Sequence, residues 1–149
     1  MSVKSRRKLI EEVSKLVCLL TEAEKRSIFG EKGLPISIFG GKHSGLEAIV
    51  IYLKEVEKKT SKEIAQILNR KLSTIYTTYK QGKKKGKLRL SGRIRIPWEI
   101  FSERQFSVLE ILVNFLRIEK KLSLTEISKK LNRSYSTIKT VNRRYHEKE

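Results

Sequence analysis

Acidic residues are scarce: 16 Asp and Glu face 34 Lys and Arg, a formal net charge of +18 over 149 residues. That excess is more than solubility requires and makes a polyanion the expected ligand, with nucleic acid first among them. Cysteine is nearly absent, and Cys18, standing alone, excludes an internal disulfide and a thiolate metal cage. A reducing compartment fits best, so a cytoplasmic, nucleoid-associated protein is expected. The two histidines, His43 and His146, lie far apart and neither is at ligand spacing from a cysteine or carboxylate pair. Both read as surface residues, and neither metal nor cofactor is expected. No apolar run approaches the ~20 residues of a membrane-spanning helix, and the N-terminus lacks the charged-apolar-small order of a signal peptide. No membrane partner is expected. Glycine-rich phosphate loops are missing too: Gly82-Lys83-Lys84-Lys85-Gly86-Lys87 has no strand before it and no Ser or Thr after its lysines. With no small-molecule site evident and no further fold to hold a nucleophile, the chain reads as a binding protein and not as an enzyme.

What the chain does have is a repeat. Leu68-Asn69-Arg70-Lys71-Leu72-Ser73-Thr74-Ile75-Tyr76-Thr77 returns 63 residues later as Leu131-Asn132-Arg133-Ser134-Tyr135-Ser136-Thr137-Ile138-Lys139-Thr140. The same offset pairs Leu46 with Leu109, Glu47 with Glu110, Val50 with Val113, Leu53 with Leu116, Glu63 with Glu126 and Ile64 with Ile127, so a whole domain is duplicated. The charge follows the repeat. Ten basic and no acidic residues lie between Glu63 and Glu99, and six basic and no acidic residues between Glu126 and Glu147. A merely solvating surface would interleave both signs.

Each copy spells three helices. Leu46, Ile49, Val50 and Leu53 recur at helical spacing, with Glu47, Lys54 and Glu55 placed on the other side. Thr60-Ser61-Lys62-Glu63 and Ser123-Leu124-Thr125-Glu126 offer capping boxes that start a second helix, burying Ile64 and Leu68 in one copy and Ile127 and Leu131 in the other. After a short polar break, Ile75 with Thr78, and Ile138 with Val141 and Tyr145, give a third helix its inward face. Three short helices with a tight second turn make a helix-turn-helix, whose third helix presents its first turns to a DNA major groove about 12 Å wide. Outward positions expected to read bases are Leu72, Ser73, Tyr76 and Thr77 in the first copy and Tyr135, Ser136, Lys139 and Thr140 in the second. Expected phosphate contacts are Arg70, Lys80, Lys83, Lys84, Lys85, Lys87, Arg89, Arg93, Arg95, Arg133, Arg143 and Arg144.

The string from Glu126 to Thr140, Glu-Ile-Ser-Lys-Lys-Leu-Asn-Arg-Ser-Tyr-Ser-Thr-Ile-Lys-Thr, resembles the helix-turn-helix of the fourth region of bacterial sigma factors and of related regulators and resolvase DNA-binding domains. The resemblance covers roughly residues 44–81 and 107–146. It implies double-stranded DNA binding, with Ser134 capping the recognition helix and Tyr135, Ser136 and Lys139 near bases. The first copy departs from the pattern: Lys71 stands at the cap position, and a lysine cannot accept the free N–H groups of a helix start. Either Ser73 caps one turn later or the helix is frayed. The turn between helices two and three also lacks glycine.

The expected organisation is all-α: an N-terminal amphipathic helix (1–30), a first helix-turn-helix domain (34–82), a basic linker or short hairpin (83–95) and a second helix-turn-helix domain (96–149). Each copy opens with an apolar-Pro-x-x-Ile-Phe arm, Leu34 to Phe39 and Ile96 to Phe101, in which proline keeps the chain extended while Ile and Phe pack on the three-helix core. Trp98 reads as packing at the junction, with base stacking as the other use. In the linker, Leu88, Leu90, Ile94 and Ile96 alternate with Arg89, Arg93 and Arg95 around Ser91-Gly92, as in a hairpin or an arm tracking a groove. The N-terminal stripe of Leu9, Ile10, Val13, Leu16, Val17 and Leu20, on one helix over 3–27, needs a partner: a second copy, giving a homodimer, or the first repeat. Sequence-preferring DNA binding for transcriptional regulation is the expected function. The alternatives are an architectural or segregation protein, and an adaptor for RNA polymerase or structured RNA.

Overall fold

The computed structural model describes residues 2–29 and 32–149, with the backbone alone for residues 26, 27 and 29. It is all-α apart from two strands of two residues each, and its contacts fall into two units, Met1–Lys32 and Gly33–Glu149.

In the N-terminal unit the expected single helix is two, α1 (Val3–Cys18) and α2 (Glu22–Phe29). Thr21 causes the restart. Its N–H donates to the Glu24 carboxylate at 2.7 Å and its hydroxyl accepts the Glu24 N–H at 3.2 Å, a capping box that ends one helix axis and begins another. Leu9, Ile10, Val13 and Leu16 are exposed along α1.

The larger unit runs β1 (Leu34–Pro35), a 3-10 turn (Ile36–Gly40), α3 (Gly45–Glu55), α4 (Ser61–Ile67), α5 (Leu72–Lys83), β2 (Arg95–Ile96), a second 3-10 turn (Trp98–Ser102), α6 (Val108–Ile118), α7 (Leu124–Lys130) and α8 (Tyr135–Lys148). Both copies of the repeat thus give the same succession. The boxes at Thr60 and Ser123 start α4 and α7, and two more, Ser44 with Glu47 and Ser107 with Glu110, start α3 and α6. Asn69 and Asn132 follow α4 and α7 in the left-handed region, φ 52° and 50°. Asparagine does there what glycine commonly does. The turn closes when the N–H groups of Arg70 and Arg133 reach back to the carbonyls of Ala65 and Ser128, at 2.9 and 3.0 Å.

One core serves both copies. From Ala48 to Leu53 α3 is buried on every side, because α4 and α5 cover one flank and α6 and the first arm the rest. Glu47, read from the sequence as solvated, is buried as well: its carboxylate accepts the Ser44 N–H at 3.0 Å and meets Lys85 at 2.8 Å. His43 is likewise buried rather than on the surface, its Nε2 donating toward the carbonyls of Gly82 and Gly86 at 3.0 and 3.1 Å. It adds a second donor to the Gly82 carbonyl, which also accepts the Lys85 N–H at 3.1 Å, and so ties the end of α5 to the segment before α3.

The arms do not close on their own copies alone. β1 pairs antiparallel with β2, Leu34 opposite Ile96, and Gly33 is needed there because a side chain would sit 2.5 Å from the Ile96 carbonyl oxygen. The first arm's turn packs on α7 of the second copy, and the second arm's turn packs on α4 of the first. Asn132 Nδ2 donates to the Gly40 carbonyl and Asn69 Nδ2 to the Ser102 carbonyl, both at 3.4 Å. The rings of Phe39 and Phe101 meet at 6.0 Å between the copies, and Gly45 lies against Val108 where α3 and α6 cross. Residues 83–95 form no hairpin of their own. They run beside the first arm, where the Ser37 hydroxyl donates to the Arg89 carbonyl at 2.6 Å and accepts the Ser91 N–H at 2.9 Å, and only Arg95–Ile96 joins a strand pair.

Candidate nucleic-acid interface

The third helix of each copy is anchored by the residues that carry its inward period. Ile75 and Thr78 hold α5 on α3 and α4, and Ile138 and Val141 hold α8 on α6 and α7. Helical geometry then turns the intervening positions outward. Leu72, Ser73, Tyr76 and Thr77 on α5 and Tyr135, Ser136 and Lys139 on α8 are exposed, and Thr140 is half-buried. Tyr76 and Tyr135 keep 57% and 49% of their surface in solvent, large values for aromatic side chains and ones that leave their rings free for a ligand.

The helix starts differ as the sequence implies. Ser134 caps α8 through the Thr137 N–H at 3.3 Å, whereas Lys71 precedes α5 with no side-chain bond and Ser73 does not replace it. The first turn of α5 therefore leaves its N–H groups open, a partial positive charge facing the same way as the outward side chains.

The cations expected on phosphates divide into two groups. Among the described residues Lys80, Lys84, Lys87, Arg89, Arg93 and Arg133 are exposed and make no ion pair. Others are tied to the protein. Lys83 pairs with Glu55, Lys85 with Glu47, and Arg143 weakly with Glu147 at 3.5 Å. Arg95 is half-buried and donates to the Tyr52 hydroxyl at 3.4 Å, and the Nε of Arg70 is buried without a partner. Arg144 is exposed beside the buried Glu110.

The buried carboxylates are built alike. Burial pushes the Glu47 carboxyl up, but the Lys85 hydrogen bond, the Ser44 N–H and the Lys85 charge outweigh it and hold the group below its ordinary value. Glu110 is the same case, with Lys148 at 2.8 Å and the Ser107 N–H, and it too is held low against burial. Glu55 is lowered first by the hydrogen bond from Lys83, then, against burial, by the Tyr79 hydroxyl. These pairs fasten the basic C-terminal ends of α5 and α8 to α3 and α6. Ser-x-x-Glu spacing stands before Glu47 and Glu110, though both glutamates read as solvated from the sequence, and nothing local in the sequence announces the Glu55 or His43 contacts.

Trp98 is half-buried in the second arm, with Lys59 of the first copy 5.6 Å from its ring. No group of His, Cys, Asp and Glu among the described residues is placed to hold a metal, and none of their helices is long and apolar enough to cross a membrane. No curated protein and no solved structure matches the chain. Residues 45–85, which span α3, α4 and α5, match the family model of sigma-70, region 4, so that this three-helix segment is similar to a helix-turn-helix DNA-binding region.

Proposed function

We propose that the chain is a sequence-preferring duplex DNA-binding protein, concentrated on the nucleoid and acting in transcriptional regulation. In this reading α5 and α8 read base edges and the basic stretches neutralise phosphates. The observation that carries it is the two-sidedness of the third helices: Ile75 and Ile138 are fully buried while Tyr76, Thr77, Tyr135 and Lys139 stand outward, flanked by cations that the protein itself leaves unpaired. Base contacts confer preference, and phosphate contacts confer salt-dependent affinity shared by all sequences.

The test separates these roles. A random-sequence duplex selection, followed by titration of the winners against scrambled DNA and matched RNA at two salt concentrations, is expected to return a bipartite motif. Tyr135→Ala with Lys139→Ala is expected to relax sequence preference with modest loss of total affinity. Lys84→Gln with Lys87→Gln is expected to weaken all sequences alike and to lower the slope of log affinity against log salt by about 2. Lys83 and Lys85 are left intact because they hold Glu55 and Glu47. Equal effects of the two pairs on selected and random DNA, or tighter binding to RNA, would refute groove reading.

A further inference from the structure

Tandem copies can be related in two ways. Translation along the chain, as in a solenoid, sets one face of a copy against a different face of the next, whereas a two-fold axis sets each element against its own counterpart. The contacts between the copies are of the second kind. Leu34 lies opposite Ile96, its equivalent in the second arm, and in antiparallel pairing that coincidence requires a two-fold axis between them. Phe39 meets its equivalent Phe101, and Gly45 of α3 meets its equivalent Val108 of α6. Other contacts are exchanged in reciprocal pairs, first arm on α7 and second arm on α4, with the Asn132 to Gly40 and Asn69 to Ser102 hydrogen bonds matching at 3.4 Å, while Lys59 at Trp98 and Arg95 at Tyr52 join the copies in one direction alone. The larger unit therefore has the internal symmetry of a dimer in which the subunits trade arms, covalently joined through residues 84–94.

Resting on the proposed DNA-binding function, we infer that α5 and α8 engage two half-sites in inverted orientation, an imperfect palindrome, and that a single copy of Gly33–Glu149 occupies the whole site. The two-fold axis of the protein coincides with the local dyad of the duplex, so the direct-repeat arrangement that a tandem duplication suggests is disfavoured. The two half-sites differ in sequence because the outward positions differ: Lys71, Leu72, Tyr76 and Lys80 correspond to Ser134, Tyr135, Lys139 and Arg143. Ser73 and Thr77 are identical to Ser136 and Thr140.

That correspondence supplies the experiment. In the full chain, the four exposed substitutions Lys71→Ser, Leu72→Tyr, Tyr76→Lys and Lys80→Arg give α5 the outward face of α8 without touching the core, and circular dichroism confirms that helix content is kept. Random-duplex selection with this variant is expected to return two identical half-sites in inverted orientation. Reversing one half-site at constant centre-to-centre spacing is expected to weaken binding about tenfold or more, as is shifting the spacing by half a helical turn. Two identical half-sites in direct orientation would overturn the inference while leaving DNA binding intact. So would equal affinity for both orientations, or for a lone half-site. Failure of both proteins to prefer any duplex sequence would overturn the proposed function together with it.

Discussion

Lys71 and Ser134 hold the same place in the two copies, directly before the third helix, and only the serine accepts a hydrogen bond from that helix. Lys71→Ser is therefore expected to stabilise the fold by about 1 kcal/mol, seen as a higher midpoint in urea with unchanged slope. An unchanged or lower midpoint would mean that the open helix start is already satisfied by other means. Glu47 and Glu110, buried beside their lysines, contribute to the acid limit. Because their folded values lie below the unfolded one, their contribution is fully present above about pH 4.3 and fades as pH falls through the lower folded values. Stability is expected to be flat between pH 7 and 5 and to decline below that. Glu47→Gln with Glu110→Gln is expected to cost about 1 kcal/mol per site at pH 7, the partner lysines being partly solvated, and to flatten the acid decline. Denaturant melts at pH 7, 5 and 3.5 decide it, and an unaltered acid slope in the double variant would refute the assignment.

At the level of elements, the legible parts are those whose information is local. The starts of α4 and α7 are written in Thr60-x-x-Glu63 and Ser123-x-x-Glu126, and the inward faces of α5 and α8 in Ile75 and Ile138 at helical period. Thr21-x-x-Glu24, Ser44-x-x-Glu47 and Ser107-x-x-Glu110 carry the same signal, yet a continuous apolar stripe hides the first and an apparently solvated glutamate hides the other two. The period of Leu46, Ile49, Val50 and Leu53 marks one buried face of α3, but it does not say that Ala48, Ile51 and Tyr52 are buried as well or that α6 covers one flank. The arms show the limit most clearly. Pro-x-x-Ile-Phe states that the arm must be buried, and burial against either copy satisfies it equally, so the exchange is invisible until the tertiary structure is known. The N-terminal elements contrast with these, since the core of Gly33–Glu149 is filled from Leu34 onward by residues of that unit. Deleting residues 1–32 is expected to leave the thermal midpoint of the remainder within about 2 °C of the full chain, well inside the shift of a single 1 kcal/mol change. A larger drop would assign α1 and α2 a structural role in the helix-turn-helix unit.

For the whole molecule, exchange of arms makes the two copies one cooperative body. Cutting between them would strip α4 of the turn at Trp98–Ser102 and leave Ile38 and Phe39 without α7, so neither half retains a closed core. Unfolding should then be a single transition in spite of the duplication. Trp98 provides the probe, because it is the only tryptophan and lies in the second arm with Lys59 of the first copy near its ring. Its fluorescence and the far-ultraviolet circular dichroism of a chain spanning residues 33–149 are expected to give superimposable urea curves. Phe101→Ala, which empties a fully buried position against Phe39, is expected to cost about 3–5 kcal/mol and to shift both curves together. A fluorescence change that precedes the loss of helix would show the copies parting before either unfolds. The two third helices would then be free to reorient, and the fixed inverted geometry required for an imperfect palindrome would lose its physical basis.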